Sequence, residues 1–196
     1  MKDNIHFFST KEHIKDEEVL SKVGLRGRQA NEFSMLDLPI LPGFIIDSDI
    51  AAHLEDQEIS STVKPFFKKL EKHINKVFDD PENPMLIKLV ISPNLAIVSY
   101  PTLHNFGLTE STIPGFNNFV GENFGYHEVM FLIKGLLEIE QRIAEFENRD
   151  KDVIEIKKQA ERLNEEMDQP QSIDKRKERI EHYKKYLPEG FFQDGY

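Results

Sequence analysis

Cysteine is absent from the 196 residues. That excludes disulfides, thiol nucleophiles and thiolate metal sites. Long hydrophobic runs are absent too: the most apolar region, Met85 to Tyr100, is broken by Lys88, Pro93 and Asn94 and is unfit to span a bilayer. No secretory leader is expected, because Ile5-His-Phe-Phe is too short and too polar. Positive charge is in deficit. There are 25 Lys and Arg against 35 Asp and Glu, a net charge of −10, which argues against nucleic acid or an anionic membrane as a general partner. The histidines lack ligand spacing, and His127-Glu128 has no second histidine to complete a zinc-binding H-E-x-x-H helix. No metal site is expected, no catalytic residue is marked, and no internal repeat is present.

What is present is a charge-rich chain, 39% hydrophobic and 31% charged, of a length for one domain or one domain with an appendage. The composition suggests a helix-rich protein, with the cytoplasm as the default location. The chain is organised around Val23 to Asp47. Gly24 and Gly27 bracket Leu25-Arg26, where the backbone can take positive φ or approach a ligand closely. Gln29 to Leu36 reads as a helix with Ala30, Phe33 and Leu36 on one side. Pro39 and Pro42 prevent its continuation, and Gly43-Phe-Ile-Ile reads as a buried strand. A glycine turn before a helix could hold an anion on free backbone N–H groups, with Arg26 or Arg28 adding charge. The alternative is a solvated turn whose glycines serve only the backbone.

Around this stretch, Ile5 to Phe8 reads as a strand and Lys15 to Lys22 as a helical turn. Ser48 is an N-cap for Asp49 to Leu54, and Ser60 or Ser61 for a longer helix through Phe78. That helix carries Val63, Phe66, Phe67, Leu70, Ile74, Val77 and Phe78 at helical spacing, with Pro65 in its first turn. Asp79 to Pro84 is a loop. Met85 to Ile91 and Leu95 to Tyr100 read as a strand pair across Ser92-Pro-Asn. Thr102 to Phe106 reads as one helical turn, Thr109 to Gly115 as loop, and Phe116 to Phe124 as a short helix. Beyond Tyr126 the pattern is helical. His127–Glu147 carries Leu132, Leu136, Ile139, Ile143 and Phe146, and Asp152–Met167 carries Val153, Ile156, Ala160, Leu163 and Met167, a stripe at alternating steps of three and four. With a turn at Asn148 the two segments form an antiparallel hairpin; a single bent helix is the alternative. The stripe is then either the inside of that hairpin or a dimer or partner surface. Ser172 caps a third helix to Tyr186. Its basic face, Lys175-Arg-Lys-Glu-Arg with Lys184-Lys185, is either solvated or docks on an acidic partner or RNA.

Several of these pieces resemble the nucleotide-binding domain of the pyruvate, phosphate dikinase and phosphoenolpyruvate synthase family. That family carries a pattern close to V-G-G-K-G-A-N-L-A-E-M followed by G-L-P-V-P-P-G-F. Here it stands as Val23-Gly24-Leu25-Arg26-Gly27-Arg28-Gln29-Ala30-Asn31-Glu32-Phe33, then Asp37-Leu38-Pro39-Ile40-Leu41-Pro42-Gly43-Phe44. Pro84 to Ser92 is similar to the family strand P-L-L-V-S-V-R-S-G-A, and Thr102 to Leu108 to its T-V-L-N-L-G-L. Tyr183-Lys-Lys-Tyr with Gly190 to Tyr196 is similar to its Y-K…G-x-x-F-P-Q-D-P-Y. The pieces occur in the family's order. The likeness covers roughly residues 20–110 well and 120–196 loosely.

The resemblance implies an α/β (α+β) fold: a first ATP-grasp subdomain with a small mixed sheet over residues 1–125, then a helical arm over 126–196. It implies that Arg26 stands where the family has a phosphate-binding lysine. The strand arginine has no counterpart, since Leu89-Val90-Ile91 occupies that region and Lys88 is the nearest cation. Ala96 to Pro101 replaces the methionine-rich loop that shapes the nucleotide site. In the family the metal ligands and adenine contacts follow the stretch that these 196 residues resemble. The leading expectation is therefore a non-catalytic scaffold, adaptor or assembly subunit on a degenerate nucleotide-binding domain. The alternative is an ATP-binding, kinase-like subunit completed in trans. The candidate phosphate site is Gly24, Arg26, Gly27 and Arg28, with ATP and magnesium as the implied ligand of the alternative. Another protein, or a second copy through the helical arm, is the expected partner.

Overall fold

The computed structural model describes residues 4–36, 38–47, 49, 56–94 and 101–193. The architecture is α+β, and the chain divides into two compact units: residues 1–75 with 91–100, and residues 76–90 with 101–196. These units are cut differently from the 1–125 and 126–196 division read from the sequence. In place of a single small mixed sheet, the described residues form two separate two-stranded antiparallel sheets.

The first unit holds β1 (Ile5–Phe8), α1 (Glu17–Lys22), α2 (Gly24–Met35), β2 (Gly43–Ile46) and α3 (Asp56–Ile74). β1 and β2 pair from Ile5↔Ile46 to Phe8↔Gly43. Alternation along β1 buries Ile5 and Phe7. Phe44 of β2 lies against Phe66 and Phe67 of α3, with ring centroids 5.6 and 5.7 Å apart. Phe7 meets His73 at 4.9 Å. These ring contacts pin the sheet to the apolar stripe of α3.

α3 departs from its expected bounds at both ends. It starts at Asp56, so Ser60 and Ser61 are interior residues and Pro65 sits inside the helix rather than in its first turn. It stops at Ile74 because Asn75 takes φ 53°, a left-handed conformation that ends helices. The Asp49–Leu54 helix with its Ser48 cap, and the Leu95–Tyr100 strand, lie outside the described residues.

α2 also differs from its reading. It begins at Gly24, not Gln29, and its buried face is Gly24, Gly27, Asn31 and Ser34. Phe33 and Leu36, expected inside, are 48% and 68% exposed. The face that packs does so by hydrogen bonding. Asn31 is bonded to both backbone groups of Ile14, and Ser34 Oγ donates to the carbonyls of Ser9 and Glu12.

The second unit holds β3 (Ile87–Val90), β4 (Thr102–Phe106), α4 (Ile113–Val120), α5 (Glu122–Phe146), α6 (Asp150–Met167) and α7 (Ile173–Lys184). β3 pairs with β4, from Ile87↔Phe106 to Val90↔Thr102, with a register shift between Ile87 and Leu89. Thr102–Phe106 is thus a strand, not a helical turn. Leu103 and Phe106 mimic a helical i, i+3 pair because Asn105 takes φ 58°, breaking the two-residue alternation between them. Gly121, at φ 88°, separates α4 from α5.

α5 is the axis of this unit. Val129, Met130, Leu132, Ile133 and Leu137 are fully enclosed, and Leu103, Ile156, Leu163, Ile180, Tyr183 and Phe192 pack into the same core. The hairpin expected at Asn148 forms, which excludes the single bent helix. Asn148 turns at φ 57°. Arg149 then binds Glu140, Glu147 and Asp152 at 2.9, 2.6 and 2.6 Å, tying both helices to the turn. These three carboxylates raise the Arg149 pKa further. Ser172 Oγ accepts the Lys175 N–H and starts α7.

Candidate functional site

The glycine turn is built from both sequence-distant parts of the first unit. Gly24 takes φ 69°, a conformation that glycine adopts without steric penalty. A Cβ there would stand 1.6 Å from the Ser92 carbonyl oxygen, so backbone passes directly over Gly24. The Leu25 N–H donates to Pro93 O at 2.9 Å. The Gly27 N–H donates to Ser92 Oγ at 3.0 Å, and that hydroxyl donates onward to Val23 O at 2.9 Å. Arg28 Nη2 donates to Asn94 Oδ1 at 3.0 Å. Ser92-Pro93-Asn94 therefore forms a strap across the first turn of α2.

This placement changes the reading of the turn. The first N–H groups of a helix lack intrahelical partners and can receive an anion. Here the Leu25 and Gly27 groups are already bonded to the strap. Gly24 and Gly27 are buried, Arg28 is half-buried and held by Asn94, and Arg26 is exposed. An oxyanion seated against Leu25 and Gly27 would have to replace Pro93 O and Ser92 Oγ. An oxyanion held by Arg26 alone would not. The sequence gives no sign of the strap. Ser92-Pro-Asn reads as a hairpin turn, and nothing local indicates that its acceptors serve a helix 65 or more residues earlier.

The second set of candidate residues lies in the other unit. Leu132 and Leu163 are wholly buried, Leu136 and Ile156 are 8% and 6% exposed, and Ile139 packs half-buried against the same core. α5 and α6 face each other through these side chains. These five side chains lie on the inside of the hairpin, whereas Ile143 and Phe146 of the same stripe are 43% and 88% exposed. A polar cluster of this unit joins β4 to α5. Asn105 Nδ2 donates to Glu128 Oε2 at 2.7 Å, and His127 Nδ1 lies 3.3 Å from Glu128 Oε1. Beside it, burial and then Lys88 push the His104 pKa down, with Glu128 opposing.

No protein-family model matches the chain. A curated protein does: pyruvate, phosphate dikinase of Treponema pallidum (strain Nichols) is 40% identical over 193 residues, which is 98% of this chain. The chain is similar to this pyruvate, phosphate dikinase along nearly its whole length. It spans 21% of that relative's length. The relation runs through both units, so the glycine turn, the strap and the helical hairpin all lie within the matched stretch. No helix among the described residues is long and apolar enough to cross a membrane.

Proposed function

We propose that this chain forms the opening part of a nucleotide-binding unit of a phosphotransferase like pyruvate, phosphate dikinase, and that turnover needs residues outside this sequence. The observation that carries the reading is the 40% identity maintained across 98% of the chain to a protein of which it spans about a fifth. Phosphoryl transfer depends mainly on positioning and on neutralising phosphate charge with cations and metal. In this chain, Arg26 at the exposed start of α2 is the group that would grip a phosphate, with the α2 dipole behind it. Magnesium carried by ATP would add to the neutralisation of the phosphate charge.

A second reading is favoured by a specific observation. The strap already satisfies the Leu25 and Gly27 N–H groups, and the family's strand arginine has no counterpart. Both features suit a degenerate nucleotide-binding domain kept as a scaffold or adaptor. Calorimetric titration with Mg-ATP separates the two. The phosphotransferase reading expects saturable binding that Arg26→Ala weakens about tenfold or more, the loss of a charge-assisted contact. No heat from a cooperatively folded protein overturns that reading and leaves the scaffold.

A further inference from the structure

A cleft of about 200 Å³ lies between α6 and α7, well removed in sequence from the glycine turn. It is lined by Arg162, Glu166, Lys175, Glu178, Arg179 and His182. With His182 neutral the lining carries one positive charge in excess, in a chain whose net charge is −10. The two carboxylates are not equivalent. Glu166 is engaged at both oxygens: Arg162 Nε donates to Oε1 at 2.9 Å and the Tyr183 hydroxyl to Oε2 at 3.0 Å. Glu178 is paired with Lys175, at 2.9 Å, and that pair is exposed, 50% and 70%. Exposed pairs of this kind contribute little and exchange readily.

Two nitrogens on the cleft's α7 wall make no hydrogen bond among the described residues. Arg179 is held by Glu166, its Nη1 donating to the Glu166 carbonyl at 3.2 Å and its Nε 3.1 Å from Glu166 Oε2, but Nε itself makes no hydrogen bond among the described residues. His182 Nε2 is buried and likewise has no hydrogen-bond partner among them. Buried nitrogens of this type are costly to leave unpaired. An acceptor-rich ligand would meet Arg162 from α6, and Lys175, Arg179 and His182 from α7. The volume exceeds that of one water, about 30 Å³, several-fold. It suits a tetrahedral oxyanion with a few waters.

We propose that the α6–α7 cleft is a binding site for a phosphate-class oxyanion, gripped by Lys175, Arg179, Arg162 and His182. Its source is either the free ion or a phosphoryl group on a larger molecule, and the chemistry of capture is the same. Lys175 leaves Glu178 for the ligand, which binds across the cleft and links the second and third helices of the arm. The site is independent of the glycine turn and of whether ATP binds there.

Phosphate at high concentration stabilises many folds by exclusion from their surfaces, so melting shifts are a poor probe. The test is calorimetry and amide-shift titration with inorganic phosphate at constant ionic strength, chloride serving as control. Saturable binding with shifts confined to residues around 162–182 is expected. The double variant Lys175→Gln with His182→Gln, both changed at the cleft edge and away from the Glu166 pairs, should weaken it at least about tenfold while keeping the wild-type circular dichroism. Glycerol phosphate serves as the second arm. Equal binding identifies a phosphoryl group on a larger molecule as an acceptable ligand, and selective binding of inorganic phosphate identifies the free ion. Absence of saturable binding to the wild-type protein, or an unchanged dissociation constant in the double variant, overturns the proposal.

Discussion

Asn31 closes a two-bond ring on the backbone of Ile14. Its Oδ1 accepts the Ile14 N–H at 2.6 Å and its Nδ2 donates to the Ile14 carbonyl at 3.0 Å, with Asn31 itself 1% exposed. The amide thus acts as a short stretch of sheet edge, holding the loop after β1 to α2. Asn31→Ala leaves two buried backbone groups unpaired. The expected loss is about 2–4 kcal/mol of unfolding free energy, read as a lowered urea midpoint. Asn31→Leu, which would improve an apolar helix face, should be no better. A neutral result for either would mean that Ile14 finds other partners.

Glycine positions with positive φ should differ sharply in tolerance. Gly24→Ala meets the Ser92 backbone as well as unfavourable φ, whereas Gly121→Ala, at φ 88°, has nothing within 4 Å of the new methyl group. Gly121, at φ 88° and ψ 139°, lies outside the left-handed α region, and Gly121→Ala is expected to cost about 1–3 kcal/mol through backbone conformation alone. Gly24→Ala should exceed that by displacing the strap, and amide exchange at Leu25 and Gly27 should accelerate in that variant only.

Stability should fall on acidification through the histidine range partly because of His104. Burial, and then Lys88, hold its native pKa below the ordinary value near 6.5. Between the native and unfolded pKa values the unfolded chain binds a proton that the native chain does not. Stability therefore rises with pH through that window and is complete above about 6.5. Urea midpoints between about pH 5 and 8 should slope less in His104→Gln than in the wild-type protein. An identical slope would remove His104 from the account.

Leu163→Ala should cost about 2–5 kcal/mol, because the side chain is fully enclosed between α6 and the rest of the core. Phe146→Ser, at a residue 88% exposed, should stay within about 0.5 kcal/mol. Thermal denaturation of both variants checks whether the hairpin stripe stabilises the monomer. A concentration-dependent melting midpoint for wild type would instead indicate a self-associated state.

The parts of this fold legible in the sequence share one property: their buried faces are apolar and regular. α5 and α6 are readable from Leu132, Leu136 and Ile139 and from Ile156, Ala160 and Leu163, each set at steps of four and three, and α7 from the Ser172 cap. β1 and β2 are readable as short apolar runs. The start of α2 escapes such reading because Gly27, Asn31 and Ser34 pack by small size and hydrogen bonds, which leave no apolar period. β4 passes for a helical turn because the left-handed Asn105 restores a three-residue spacing inside a strand. At the candidate site, Gly24 and Gly27 announce an unusual backbone, but the Ser92-Pro93 acceptors that cover it come from the far end of the unit. Local pattern carries no information about such long-range acceptors.

Strand β3 has a practical bearing on how the protein can be divided. The chain passes from the second unit to the first after Val90 and returns at Pro101. β4 finds its ladder partner in residues that precede this excursion. A fragment beginning at Pro101 would keep all three arm helices and still present an orphaned strand edge, inviting aggregation. A fragment ending at Asn75 would lack the Ser92-Pro93 acceptors that cover α2. Limited proteolysis within residues 91–100 should therefore yield two pieces that stay associated and purify together, because neither half contains a complete set of its own backbone partners.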